Sequence, residues 1–131
     1  MKIIAILLLC LAVLPAQASE ATDQMFDAYR AEGAGEFSAQ RGKQMWTQTY
    51  TQQKSAKQVN CATCHTDKLQ QAGAHIRTGK VIEAMSARTN AGRFNETKKI
   101  KKWFLRNCKW TLGRECTAQE QGDYLTYFLS E

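Results

Sequence analysis

The chain predicts an all-α domain, and three observations predict it. A short amphipathic segment runs from Thr22 to Arg30, and a second helical pattern containing Gly42 and Trp46 follows Ser38. Two longer helical stripes fill the C-terminal third, one carrying Ile100, Trp103, Phe104 and Asn107, the other Tyr124, Leu125, Tyr127, Phe128 and Leu129. Between the early and late helices stands Cys61-Ala62-Thr63-Cys64-His65, and C-x-x-C-H is the spacing at which a polypeptide attaches a c-type haem.

At that spacing two thiols add to the two vinyl groups of the porphyrin, and the adjacent imidazole becomes the proximal iron ligand. Cys61 and Cys64 are therefore expected to hold the ring of one covalent haem c, and His65 its metal. A zinc site would need further Cys or His at ligand spacing. The other histidine is His75, and there is no second C-x-x-C.

The start of the chain sets the expected compartment. Met1-Lys2 is a short basic region, Ile3 to Leu14 is a continuous apolar run, and Ala16-Gln17-Ala18 places small residues where signal peptidase cuts. Residues 1–18 are thus expected to be a signal peptide and 19–131 one monohaem domain exported to the periplasm. Cys10 follows Leu9, which is not small, so lipid attachment is not the reading. The run is too short to span a bilayer and no later stretch approaches that length, so no stable membrane anchor is expected. The formal charge of +6 falls to +5 without Lys2, which favours acidic partners, while export argues against nucleic acid. With Cys10 removed and two thiols given to haem, Cys108 and Cys116 remain in an oxidising compartment, and a disulfide between them is the economical reading.

The elements follow in order. The Thr22–Arg30 segment puts Met25, Phe26 and Tyr29 on one face and ends before Gly33-Ala34-Gly35. Ser38 can cap the next helix, where Gly42 sits one turn before Trp46. A helical glycine costs about 1 kcal/mol when exposed, so its use here is to let another helix cross closely. Tyr50 to Gln58 reads as a loop, and Thr66 to Lys80 as a wrap around the ring. Phe94-Asn95 opens a helix to about Cys108, and Thr117-Ala118-Gln119-Glu120 is a capping box opening the last. The terminal stripe needs a partner, and the Gly42/Trp46 helix has room for it. This order of elements is that of a small class I-like cytochrome c fold.

The distal iron ligand is open at this point. Met85 would give a soft thioether suited to both redox states, His75 a bis-histidine haem, and Asn107 a polar amide on an apolar helix face. Pattern alone ranks them Met85, Asn107, His75. Each has a plainer role available: core packing for Met85, surface exposure for His75, a helix C-cap for Asn107.

Cys-Ala-Thr-Cys-His, Arg77-Thr78-Gly79-Lys80-Val81-Ile82, Gly92-Arg93-Phe94, Trp103-Phe104-Leu105-Arg106-Asn107-Cys108 and Gly113-Arg114-Glu115-Cys116-Thr117 together resemble the sphaeroides haem protein family of c-type cytochromes, from about Ser38 onward. The resemblance implies that Asn107 is the distal ligand, standing before a Cys108–Cys116 disulfide. It implies that the asparagine leaves the iron on reduction and that the ferrous haem then binds small diatomic ligands such as O2 or NO. Dihaem cytochrome c and membrane cytochrome b are the implied electron donors. Trp103 and Phe104, on the face of Asn107, would wall the distal pocket. The alternative is a six-coordinate His/Met electron carrier. No acid/base constellation marks a dedicated enzyme. Lys98, Lys99, Lys101 and Lys102 form either a solvated face or a docking surface for an acidic redox partner.

Overall fold

The structure is a computed structural model that describes residues 19–52 and 55–131; the expected signal peptide lies outside the described residues. Five helices and two small hairpins follow one another: α1 (Glu20–Ala31), α2 (Ala39–Thr47), β1 (Tyr50–Thr51), β2 (Gln58–Val59), α3 (Ala62–His65), β3 (Gly73–Ala74), β4 (Val81–Ile82), α4 (Thr97–Leu112) and α5 (Ala118–Ser130). Each hairpin is antiparallel, Tyr50 opposite Val59 and Gly73 opposite Ile82. No helix among the described residues is long and apolar enough to cross a membrane.

Local signals account for the helix ends. Ser19 caps α1 by accepting from Thr22 N, Ser38 caps α2 by accepting from Arg41 N, and α5 opens on the expected capping box of Thr117 and Glu120. α4 ends at Gly113, whose φ of 76° is left-handed, the usual helix stop. It therefore starts three residues later and ends four residues later than the sequence suggests. Phe94 belongs to the preceding loop, where it stacks on Phe128 at 5.6 Å between centroids.

The core is the crossing of α2 on α5. Gly42 lies against the α5 backbone: a Cβ there would collide with the Asp123 carbonyl oxygen and approach Tyr127 Cβ to 2.8 Å. This is the close approach that a helical glycine permits. Beside it, Trp46 packs edge-on to Phe128, Tyr124 and Tyr127 at 5.2 to 6.4 Å. Asp123 is buried beneath the crossing and fully partnered. It accepts from Ser38 N at 2.7 Å, Arg41 Nε at 2.7 Å, Arg41 Nη2 at 2.8 Å and Gln119 Nε2 at 3.1 Å. A buried carboxylate satisfied on every side locks the start of α2 onto α5. α1 closes one flank, where Tyr29 donates to Gln121 Oε1 at 3.0 Å.

Candidate haem site

The attachment motif folds as a single helical turn. His65 N donates to Cys61 O at 3.2 Å and Thr66 N to Ala62 O at 2.9 Å. Asn60 and Thr63 brace its start, with Thr63 Oγ1 taking a hydrogen bond from Asn60 N at 3.0 Å. Thr66, the next residue, has φ 65° and ψ 166°, a region almost confined to glycine. Trp46 Nε1 donates to its carbonyl at 2.8 Å, so the α2 indole holds the strained residue directly after the imidazole. From the other side β3 presses in: a Cβ on Gly73 would collide with the Cys64 carbonyl and lie 2.8 Å from His65 Cα.

The side chains of the motif fit a haem. Neither Cys61 nor Cys64 is engaged in a disulfide, so both thiols are available to a porphyrin. Nδ1 of His65 is buried with no hydrogen-bond partner among the described residues. A buried polar atom left without a partner is costly, and an imidazole held this way is suited to a metal. Burial, with the positive charge of Arg93 adding to it, pushes the His65 imidazole down to about 4. It is therefore neutral at ordinary pH, the form that ligates iron. Burial likewise pushes the Cys61 thiol up to about 11. Arg93 is half-buried and makes no side-chain hydrogen bond or ion pair among the described residues; burial lowers its own pKa. Its guanidinium places a positive charge near the His65 imidazole.

The distal candidates separate clearly in their surroundings. Met85 is 8 % exposed in the hydrophobic core, and its backbone N donates to Leu69 O at 2.9 Å, close after His65 in the chain. His75 Nδ1 is taken up by the β3–β4 turn, accepting from Thr78 N at 3.2 Å with Thr78 Oγ1 at 3.0 Å. Asn107 differs from both. On α4 it falls between the buried residues Ile100 and Thr111, yet it is itself exposed and its amide makes no hydrogen bond among the described residues. It lies within the helix, five residues before the end, so a capping role is excluded. Trp103 and Trp110, one turn before and after, are 50 % and 40 % exposed on the same flank. A stripe of Trp, Asn and Trp beside a buried face is a surface shaped to be covered.

α5 joins the two halves of the site. His65 lies against Trp46 at 5.4 Å, Trp46 against Tyr124 at 6.3 Å, and Tyr124 against Phe104 at 6.3 Å. The file runs from the attachment motif to the helix that bears Asn107. Immediately beyond Asn107, Cys108 and Cys116 form a disulfide tying α4 to the segment before α5. Tyr124, Trp110 and Arg93 are site residues the sequence reading did not single out. Trp110 was within its reach, three residues after Asn107 and seven after Trp103, spacings that share a helix face.

Fold and site define a monohaem c-type cytochrome of the small all-α kind, carrying one covalent haem c. A family model described as a domain of unknown function, DUF1924, matches residues 32–128. The chain is 32 % identical to the cytochrome c-type protein SHP of Cereibacter sphaeroides over 108 residues, covering 82 % of each chain. It belongs to this family, the sphaeroides haem proteins. The solved structure of oxidised SHP, described as an oxygen-binding cytochrome c, superposes with a TM-score of 0.76 at 28 % identity, covering 87 % of this chain and all of that one. The solution structure of cytochrome c'' from Methylophilus methylotrophus, a study of haem-ligand detachment, gives 0.72 at 28 % identity over 84 % of this chain and 93 % of that one.

Proposed function

We propose that this is a periplasmic haem protein that accepts an electron and, once reduced, exchanges its own distal ligand for a small diatomic molecule such as O2 or NO. A haem held here would supply redox-active iron able to bind a small molecule. Cys61 and Cys64 would hold the ring, and neutral His65 and the Asn107 amide would be the two side chains offered to the metal. The observation that carries this reading is the exposed, unpartnered Asn107 amide set between the half-exposed Trp103 and Trp110, at the edge of the buried face of α4. An amide oxygen is a hard, neutral donor that suits ferric better than ferrous iron, so reduction weakens its hold. Trp103 and Phe104 limit water around it, and the Cys108–Cys116 bridge keeps the helix in place while the side chain leaves and returns.

Burial of Met85 in the core beside Leu69 supports this reading over a six-coordinate His/Met carrier, in which a thioether would stay bound in both states. The oxygen-binding description of SHP and the ligand detachment studied in cytochrome c'' point the same way. Dihaem cytochrome c and membrane cytochrome b are the proposed donors. Of the α4 lysines, Lys99 pairs with Glu96 at 2.6 Å, while Lys98, Lys101 and Lys102 make no ion pair among the described residues and can face an acidic partner.

The test is direct. Asn107→Ala should change the spectrum of the oxidised protein and leave the reduced spectrum nearly untouched, while carbon monoxide should bind promptly to the reduced wild type. An unaltered oxidised spectrum rules out Asn107 as ligand. A reduced protein that refuses carbon monoxide returns the assignment to a permanent sixth ligand.

A further inference from the structure

Tyr124 sits where the haem machinery described so far has no use for a hydroxyl. The residue is 3 % exposed, its ring wedged between Trp46 and Phe104, each 6.3 Å away. Packing alone would be served by phenylalanine, as at Phe128 one turn later. The phenol oxygen instead reaches the sulfur of Cys61 at 3.8 Å. Tyr50, half-buried on β1, is a second phenol in the same neighbourhood, its pKa raised by burial and by the charge of Cys61. The Tyr124 phenol thus meets one sulfur of the attachment motif, within a wall otherwise built of aromatic carbon.

Attachment changes what that contact can be. A free thiol can donate its S–H to the phenol, as the contact stands here. A thioether has no proton and is only a weak acceptor. Once the Cys61 sulfur is bonded to the ring, Tyr124 must therefore be the donor of the pair. Burial raises the Tyr124 phenol far above its ordinary value, so the proton stays on oxygen. The O–H dipole then has its positive end toward the sulfur and the ring beyond it. Hydrogen bonds and fixed dipoles of this kind are a known lever on a haem potential.

We infer that Tyr124 is a positioning residue that donates its hydroxyl hydrogen to the Cys61 thioether sulfur, fixing that edge of the haem and raising its reduction potential. The inference rests on the attachment of haem through Cys61. It concerns the reduction potential and is separate from the distal exchange at Asn107.

The experiment uses haem-loaded wild type, Tyr124→Phe and Tyr50→Phe, with haem attachment checked by protein mass. Phenylalanine keeps the ring and its packing. Tyr124→Phe should shift the reduction equilibrium against a fixed donor about threefold toward the oxidised form, about 30 mV at 59 mV per tenfold change. Tyr50→Phe, which removes a nearby phenol that does not bond the sulfur, should leave it unchanged. In a Cys61→Ala background, where haem hangs from Cys64 alone, Tyr124→Phe should have no effect on the potential. An unchanged potential in fully loaded Tyr124→Phe overturns the inference, as does an equal shift with and without the Cys61 sulfur. A peptide map of the wild type showing haem bound without Cys61 would overturn the attachment reading instead.

Discussion

Gly42→Ala isolates the contact on which the haem pocket is built, because two effects of opposite sign act on it. On helix propensity alone the change is favourable, by about 1 kcal/mol. The crossing opposes it. The added methyl would collide with the Asp123 carbonyl oxygen and lie 2.8 Å from both the Asp123 carbonyl carbon and Tyr127 Cβ. Two of these three atoms are α5 backbone, so no side chain can swing aside. The helices must separate, and the shift loosens Trp46 against Tyr124 and Phe128 and slackens the four hydrogen bonds to Asp123. Overpacking of this kind costs about 1–3 kcal/mol, and a strained buried carboxylate adds to it. A net loss of about 2 kcal/mol is expected, or a Tm lower by about 10 °C for a domain of this size. Thermal melting of the haem-loaded protein followed by far-ultraviolet circular dichroism measures it. A variant as stable as wild type, or more so, would refute the claim that α2 and α5 touch at Gly42.

Two further outcomes follow from the same end of the molecule. Replacing Cys108 and Cys116 together with Ser opens an eight-residue separation, and chain entropy puts the loss at about 2.5 kcal/mol. Urea unfolding should show it, and the return of the oxidised spectrum after a cycle of reduction should slow in the same variant. The Glu120 carboxyl is held below its ordinary value of 4.5 by Arg114, whose guanidinium bonds it twice at 2.7 Å, and by the backbone of Thr117. A carboxyl lowered by folding lends stability that is present above its unfolded value and lost as pH falls through the folded one. Wild type should therefore lose Tm between about pH 5 and 3, and Glu120→Gln should start lower and lose less across that window; parallel curves would remove Glu120 from the account.

What the sequence could show depended on whether the signal was local. The Ser38 cap, the Thr117–Glu120 capping box and the Gly42/Trp46 spacing each specify their helix within a few residues, and each stands in the structure where it was read. The α4 boundaries were less legible because Phe94 extends the apolar stripe backward, although its ring is spent on Phe128 in a loop. The same misplacement made Asn107 look like a helix end. The two hairpins, each of two-residue strands, had no periodicity to show. Leu69, in a stretch read as a wrap, is 1 % exposed because the 84–86 segment bonds its carbonyl, a contact no local pattern announces. Tyr124 was seen as an apolar stripe residue; which member of that stripe meets Cys61 is set by the α2–α5 crossing, a tertiary fact.

The two halves of the candidate site differ in how tightly their side chains are held. Around His65 every neighbour restricts motion: Gly73 backs onto the motif, Trp46 fixes the strained Thr66, and the imidazole is buried and neutral. Around Asn107 the amide has no partner among the described residues, yet the backbone beside it is held by the disulfide one residue on. Under the proposed function, such a residue would give up no hydrogen bond on leaving the iron, so its release would be opposed only by the metal–amide interaction itself. That interaction would change with the iron's charge. Holding the helix while leaving the Asn107 amide otherwise unbonded would then make the redox state of the metal the principal control on whether the position is open.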